Sequence, residues 1–84
     1  MTNRLDEWRE LERLLRGAFA TLAERFDARL CAFVTEMLDN QEYGIAYEAM
    51  AEAIHEGGIR PDTATLTSLR SAANMMGLPE PRAD

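Results

Sequence analysis

The feature that most constrains the fold of this chain is an apolar stripe in its first third. Large apolar residues recur there at three- and four-residue steps: Leu5, Trp8, Leu11, Leu15, Phe19, Leu22 and Phe26. This spacing places them on one face of an amphipathic helix. The stripe continues in phase through Leu30, Phe33 and Met37. The pattern predicts helix over about residues 4–38, with these side chains turned toward the core.

Two arrangements fit the stripe. One is a single long helix, and the other is a pair of helices that separate between Phe26 and Asp27, with Asp27 as the N-cap of the second. Periodicity does not choose between them. We favour the break, because an unbroken helix of this length in a chain of 84 residues leaves little sequence to fold back against it.

A further helix is predicted after Met37. Residues 39–42 resemble a turn followed by a capping box, in which Asp39 is the N-cap and Glu42 occupies the third helical position. The helix that follows ends at Gly57-Gly58. Its predicted inward face comprises Tyr43, Ala46, Tyr47, Met50 and Ile54.

The last helix follows a short connector at residues 59–61, because Pro61 disfavours helix at the residue before it. Asp62 or Thr63 is its predicted N-cap. Gly77 fits the left-handed position beyond the helix end, and Leu78 fits the hydrophobic contact of a Schellman motif. The inward residues are predicted to be Leu66, Leu69, Ala73 and Met76.

The fold class follows from these helices, because no segment alternates apolar and polar residues as a strand would. The sequence predicts an all-α fold, a small three- or four-helix bundle formed by a single helical domain over residues 1–78. Residues 79–84 are predicted to be a flexible C-terminal tail. A chain of this size buries only about 60–65% of its unfolded surface, so we expect a thin core.

Composition restricts the location of the protein. The longest apolar run, residues 30–34, is far shorter than the roughly 20 residues that a membrane span needs. The first residues are charged throughout, which is not typical of a signal peptide. Cys31 is the only cysteine, so no disulfide forms within the chain. We therefore expect a cytoplasmic protein that binds no membrane.

The formal net charge of -6 is confined to the middle of the chain. Acidic and basic residues balance in residues 1–35 and in residues 60–84. The excess comes from six acids that have no base among them: Glu36, Asp39, Glu42, Glu48, Glu52 and Glu56. An acidic segment between neutral flanks argues against nucleic acid as a partner and favours a basic protein.

Catalytic and metal-binding patterns are weak in this sequence. Glu52-x-x-His55 has the spacing of a ligand pair in di-iron helical bundles, but such sites need a second pair. His55 is the only histidine, and it is predicted to lie on a different helix from Cys31, which falls off the apolar stripe in a helix interior. We expect no enzyme activity, no metal and no cofactor.

The predicted partner-binding surface consists of Asp39, Glu42, Ile45, Glu48, Glu52 and Glu56. Glu48, Glu52 and Glu56 stand at four-residue spacing, where like charges destabilise a helix. Ile45 falls between Glu52 and Glu56 on the polar face, as an apolar anchor with a charged rim would. Tyr47 is expected to expose its ring edge to the same partner. The alternative interpretation is a solvated acidic face, and capping alone explains Asp39 and Glu42.

Residues 33–78 resemble the Maf-type (MafI-family) immunity proteins of bacterial polymorphic toxin systems. The family pattern is an acidic turn, then Glu-aromatic-Gly-aliphatic-Ala-x-Glu, and later a cap and a final Met-Gly-Leu. The matching residues are Glu42-Tyr43-Gly44-Ile45-Ala46-Tyr47-Glu48, then Arg60-Pro61-Asp62, then Met76-Gly77-Leu78. Tyr47 departs from the pattern, where an aliphatic is expected, and so does Gln41, where a small residue is usual.

The resemblance implies a small helical cytoplasmic protein that binds a cognate toxin domain, often a nuclease, and neutralises it. The six partner-binding residues come from the charge pattern and not from the family. An alternative function is that of an obligate homodimer, a structural or adaptor protein without a toxin partner. In that case the stripe from Leu5 to Met37 pairs with its own copy.

Overall fold

The apolar stripe at the start of the chain folds as two helices. The computed structural model describes residues 4–82. Helix α1 spans Arg4–Leu22, a 3₁₀ turn spans Ala23–Arg25, and helix α2 spans Ala28–Asp39. The Asp27 carboxylate accepts a hydrogen bond of 2.8 Å from the Leu30 N–H, which caps α2. The predicted break and its N-cap are confirmed.

Two more helices complete the bundle. Helix α3 spans Tyr43–Gly57 and helix α4 spans Thr63–Met76. Between residues 4 and 82 the regular structure is helical throughout, which confirms the predicted all-α bundle. None of these helices combines the length and the apolar character needed to cross a bilayer.

The core lies between two pairs of helices. α1 packs chiefly against α4, and α2 packs chiefly against α3, while α1 also contacts α2 and α3. The side chains that are completely shielded from solvent come from every helix: Leu15, Val34, Leu38, Ala46, Met50, Leu69, Ala72 and Ala73. Because each helix contributes one buried face, the four amphipathic segments share one core.

The break corrects the predicted inward face of α2. Phe26 has an extended backbone (φ −102°, ψ 149°), so α2 begins with a new helical phase. Val34 and Leu38 are buried in consequence, whereas Phe33 is 40% exposed. The prediction that Phe33 faces the core is wrong for this reason.

The start of α1 also departs from the prediction. Leu5 is 51% exposed and Trp8 is 45% exposed, although both belong to the apolar stripe. Burial on α1 begins at Leu11. The apolar stripe therefore begins before the part of α1 that packs against other helices, and Leu5 and Trp8 lie at the periphery of the bundle.

The connection between α2 and α3 is a Schellman motif and not the predicted capping box. The Glu42 N–H donates to the Met37 carbonyl at 2.8 Å, and the Gln41 N–H donates to the Leu38 carbonyl at 3.1 Å. Asp39 is the last residue of α2, and Glu42 is the N-cap of α3 without a side-chain capping bond. The prediction of Asp39 as an N-cap is wrong, because burying Leu38 carries α2 through Asp39.

This motif places Gln41 in the left-handed region at φ 61°. A side chain in that conformation costs about 1 kcal/mol or more, and glycine removes the cost. We expect Gln41→Gly to raise the free energy of unfolding by about 0.5–1 kcal/mol, measured by denaturant titration. The control is Asn40→Gly, because Asn40 has φ −93° and glycine there only adds unfolded-state entropy. A Gln41→Gly protein less stable than wild type would contradict this account.

The other helix boundaries agree with the sequence. Gly58 (φ 61°) follows α3 and Gly77 (φ 69°) follows α4, each in the left-handed conformation. The Leu78 N–H donates to the Ala73 carbonyl at 2.9 Å, which confirms the Schellman ending of α4. Asp62 caps α4 by accepting from the Thr65 N–H at 2.7 Å. That hydrogen bond lowers the pKa of Asp62 below its usual value.

Candidate functional site

The predicted partner-binding residues fall mainly on one exposed face of α3. Ile45, Glu48, Glu52 and Glu56 are all exposed, and Ile45 is 46% accessible. The opposite face of α3 carries Met50 and Ile54 into the core. We call these four exposed residues the α3 ridge. They share a face because residues seven and eleven positions apart return to nearly the same helical angle.

Asp39 and Glu42 do not belong to the α3 ridge. Asp39 ends α2, and its carboxylate accepts a hydrogen bond of 3.0 Å from the Arg16 guanidinium of α1. Glu42 lines a shallow cleft that Trp8 and Met76 also line. The six predicted residues are therefore divided between a four-residue ridge and two positions at the α2–α3 connection.

Tertiary structure brings arginines to the acidic segment. In sequence no base lies among its six acids, but Arg16 pairs with Asp39, as described above. Arg29 lines the same groove as Glu56, and Arg82 lines the same cleft as Glu48. Exposed ion pairs contribute only about 0–1 kcal/mol to stability. Arg29 and Arg82 lie on opposite sides of the ridge, so their positive charges partly offset its carboxylates.

A groove runs between the start of α2 and the outer side of α3. Its floor is apolar and its volume is about 520 Å³. Glu52 and Glu56 of the α3 ridge line it together with Asp27 and Arg29. The apolar lining consists of Leu30, Phe33, Ala49 and Ala53. We call this depression the α2–α3 groove. Ala49 and Ala53 contribute only small side chains to this lining.

Phe33 is the residue of this groove that was predicted to face the core and is exposed instead. The sequence contains a signal for this, because Leu30, Val34 and Leu38 recur every four residues and form a new apolar stripe after the Asp27 cap. Counting the phase from Asp27 places Phe33 beside that stripe, at the edge of the buried face. Counting from Leu5, across the break, places it in the core.

The other side of α3 is covered by residues 79–82, part of the predicted C-terminal tail. The Tyr47 hydroxyl donates a hydrogen bond of 2.7 Å to the Pro79 carbonyl. Pro81 is buried, and Glu80 lies 4.0 Å from Arg70 of α4. Tyr47 itself is only 2% exposed. The expectation that Tyr47 presents its ring to a partner is wrong, because this segment covers it.

The bond between Tyr47 and Pro79 gives a stability prediction. Tyr47→Phe should lower the free energy of unfolding by about 1 kcal/mol, since it removes one partly buried hydrogen bond without changing the ring. Thermal unfolding near neutral pH measures the loss. The matched control is Tyr43→Phe, which removes the 2.9 Å bond from Tyr43 to the Glu12 carboxylate but leaves residues 79–82 in place.

The same tyrosine predicts a pH dependence. Burial, with the nearby Glu80 and Glu48 carboxylates, raises the pKa of Tyr47 above its usual value. The neutral form is therefore favoured in the folded protein, and its contribution to stability is full below about pH 10 and is lost as the pH rises further. Tyr47→Phe should flatten this alkaline decline. An unchanged slope would show that Tyr47 titrates alike in the folded and unfolded chains.

Groups for metal binding or nucleophilic catalysis do not converge on this surface. Glu52 and His55 both line the cleft beside residues 79–82. In the described part of the chain, no three His, Cys, Asp or Glu side chains are arranged to hold a metal ion. The half-buried Cys31 thiol donates to the Ala23 carbonyl at 3.3 Å, at the break between α1 and α2. The surface exposes carboxylates and apolar side chains, with Arg29, Arg82 and His55 beside them.

Comparison of the chain with protein-family models, with curated proteins and with solved structures finds no match. The resemblance to Maf-type immunity proteins rests on the motif residues alone. Gln41, one of the two departures from that motif, occupies a left-handed position, where only the absence of a Cβ, as in glycine, relieves the backbone. Tyr47, the other departure, is a buried residue that binds the C-terminal segment.

Proposed function

We propose that this chain is an immunity protein that binds and neutralises a cognate bacterial toxin domain through the α3 ridge. The observation that carries the proposal is the exposed Ile45 on the same helix face as three carboxylates. An apolar contact with a charged rim is the usual anatomy of a specific protein interface. The motif resemblance supplies the class of partner.

The charges of the ridge favour a basic partner. A nuclease toxin carries a cationic surface for the phosphate backbone, and the ridge is complementary to such a surface. Binding there would neutralise the toxin by occupying or screening the surface that holds its substrate. The proposal includes no enzyme activity, cofactor, membrane or nucleic acid, and it places the protein in the cytoplasm, where the toxin would act.

Co-expression tests this proposal directly. Co-expression of the chain with a cognate toxin domain should restore the growth that the toxin alone inhibits, and the two proteins should co-purify as a complex without nucleic acid. An Ile45→Asp variant should lose both effects while keeping its helical circular dichroism, because Ile45 lies outside the core. Restored growth without a physical complex would overturn the proposal and indicate an enzymatic or regulatory route.

The alternative function is that of a structural or adaptor protein that acts as an obligate homodimer. A second apolar surface, away from the α3 ridge, supports it. Trp8 is 45% exposed and Met75 is 43% exposed, and both line one shallow depression together with Leu11 and Met76. A second copy of the chain that packs there would bury these side chains. Sedimentation of the purified protein distinguishes the two functions, because a monomer at micromolar concentration excludes the obligate dimer.

A further inference from the structure

The α2–α3 groove combines an open apolar floor with an uneven charge distribution. Phe33 is 40% exposed at its edge, and the groove volume is about 520 Å³. That volume lies within the range of sites that accept a ligand side chain or a small molecule. Isolated exposed aromatics are ordinary, but an aromatic bordering a groove is the arrangement found at interface anchors.

The charges around the groove select the kind of occupant. Three carboxylates, those of Asp27, Glu52 and Glu56, line it against one guanidinium, that of Arg29. The Asp27 carboxylate already accepts the Leu30 N–H. Neither glutamate has a resolved ion pair in the described structure, so Glu52 and Glu56 are the groups placed to meet cations on the rim.

We propose that the α2–α3 groove is the anchoring pocket for a basic segment of the partner protein. A large apolar side chain of that segment packs against Phe33 and the two alanines, while flanking arginine or lysine side chains meet Glu52 and Glu56. This inference rests on the proposed function, because it names the part of the surface that holds the toxin domain. It makes Phe33, which lies outside the α3 ridge, a residue that determines affinity.

The geometry also indicates which side of α3 the partner contacts. Ala49 and Ala53 line the α2–α3 groove on the side of α3 that faces α2. Residues 79–82 cover the opposite side of α3, where Tyr47 lies. The cleft on that opposite side is lined partly by residues 79–82 themselves, whereas the α2–α3 groove is lined only by residues of α2, its N-cap Asp27 and α3. The contact is therefore centred on α2 and α3 and does not extend over the C-terminal segment.

Four single variants test the groove against the toxin domain by calorimetry with the full chain. Phe33→Ala should weaken binding by about tenfold or more, as loss of an interface anchor does, and Phe33→Leu should retain most of the affinity because it keeps a large apolar side chain there. The matched controls are Thr35→Ala, an exposed residue of the same helix, and Glu24→Gln in the 3₁₀ turn. Both controls should bind within about twofold of wild type. Circular dichroism verifies that each variant remains folded.

A second measurement does not depend on the toxin. A displayed library of short random peptides, selected on the full chain, should be enriched in sequences with a large apolar residue between arginines or lysines. These peptides should be lost on Phe33→Ala and retained on Thr35→Ala. Peptides of other composition, or basic peptides that bind Phe33→Ala equally well, would overturn the inference.

The outcomes separate this inference from the proposed function. If the toxin domain binds wild type and Phe33→Ala equally, the groove is not the anchor and the immunity function stands. If no toxin domain binds but basic apolar peptides are captured through Phe33, the groove stands and the immunity function is overturned. If neither ligand binds, both proposals are wrong.

Discussion

Leu69→Asp is expected to leave this chain unfolded at room temperature. Leu69 is completely buried where α4 joins the core. Truncating a buried leucine costs about 2–5 kcal/mol. A carboxylate without a partner in the same place adds a desolvation cost of several kcal/mol. A domain of this size has a total stability near the low end of about 5–15 kcal/mol, so the two costs together exceed it.

Far-UV circular dichroism and thermal scans measure the effect of Leu69→Asp. The control is Thr67→Asp, which introduces the same side chain into the same helix at an exposed position. That variant should lose at most about 0.5 kcal/mol, because only helix propensity changes. A Leu69→Asp protein with a cooperative transition close to that of wild type would show that α4 does not pack as described.

Joint replacement of Glu48, Glu52 and Glu56 by glutamine should lower the rate of association with the toxin domain. It should also make that association rate less sensitive to added salt. Exposed charges act through the long-range field, which controls encounter more than the lifetime of a complex. Arg29 and Arg82 lie beside this ridge together with Asp27 and Glu80, so removing the three carboxylates leaves the local charge about balanced and abolishes the attraction for a cationic partner. We therefore expect a decrease of about tenfold or more in the association rate at low salt.

The triple variant should be no less stable than wild type, because like-charge repulsion along α3 is relieved. The matched control replaces Glu7, Glu10 and Glu24 by glutamine. It removes the same net charge from α1 and the 3₁₀ turn, and it should retain the wild-type salt dependence. If the association rates of both triple variants depended on salt to the same extent, only the net charge of the protein would matter and the ridge would have no special role.

Ile45→Ala separates anchoring from steering. Ile45 is 46% exposed in the free protein, so its truncation should barely change stability or association. If a partner covers it, the dissociation rate should rise by about tenfold, since burial of such a side chain contributes about 1–2 kcal/mol. Surface kinetics at two salt concentrations measure both parameters. An unchanged dissociation rate would place the apolar contact elsewhere.

Local sequence signals determined the helices of this protein and most of their ends. The Asp27 cap and the Gly58 and Gly77 terminators act within a few residues, so each could be recognised from the local sequence alone. Asp62 was one of two candidate caps for α4, and the structure selects it over Thr63. The inward face of α3 was also predictable, because Ala46, Tyr47, Met50 and Ile54 lie in one uninterrupted helix. The exposure of Ile45 follows from that same phase.

The sequence did not reveal how the break between α1 and α2 changes the side of the helix that faces the core. Phe33 looks inward if the stripe is counted from Leu5, and lies on the rim if it is counted from Asp27. The extended backbone at Phe26 decides the matter. The turn at Gln41 is similar, since the acids around it permit a capping box until the burial of Leu38 extends α2 through Asp39.

The electrostatic surroundings of the site were decided by tertiary structure. Charge counting along the chain isolates the acidic segment, yet Arg16 meets Asp39 across 23 positions of sequence. The Pro79 carbonyl, 32 residues away in sequence, accepts a hydrogen bond from the Tyr47 hydroxyl. The C-terminal segment thereby covers a side chain that the helical pattern places at the edge of the inward face of α3. Helix formation depends on neighbours within a turn or two, so the sequence alone determined it. The grooves and the charges beside them depend on how separate helices dock, which only the packed core decides.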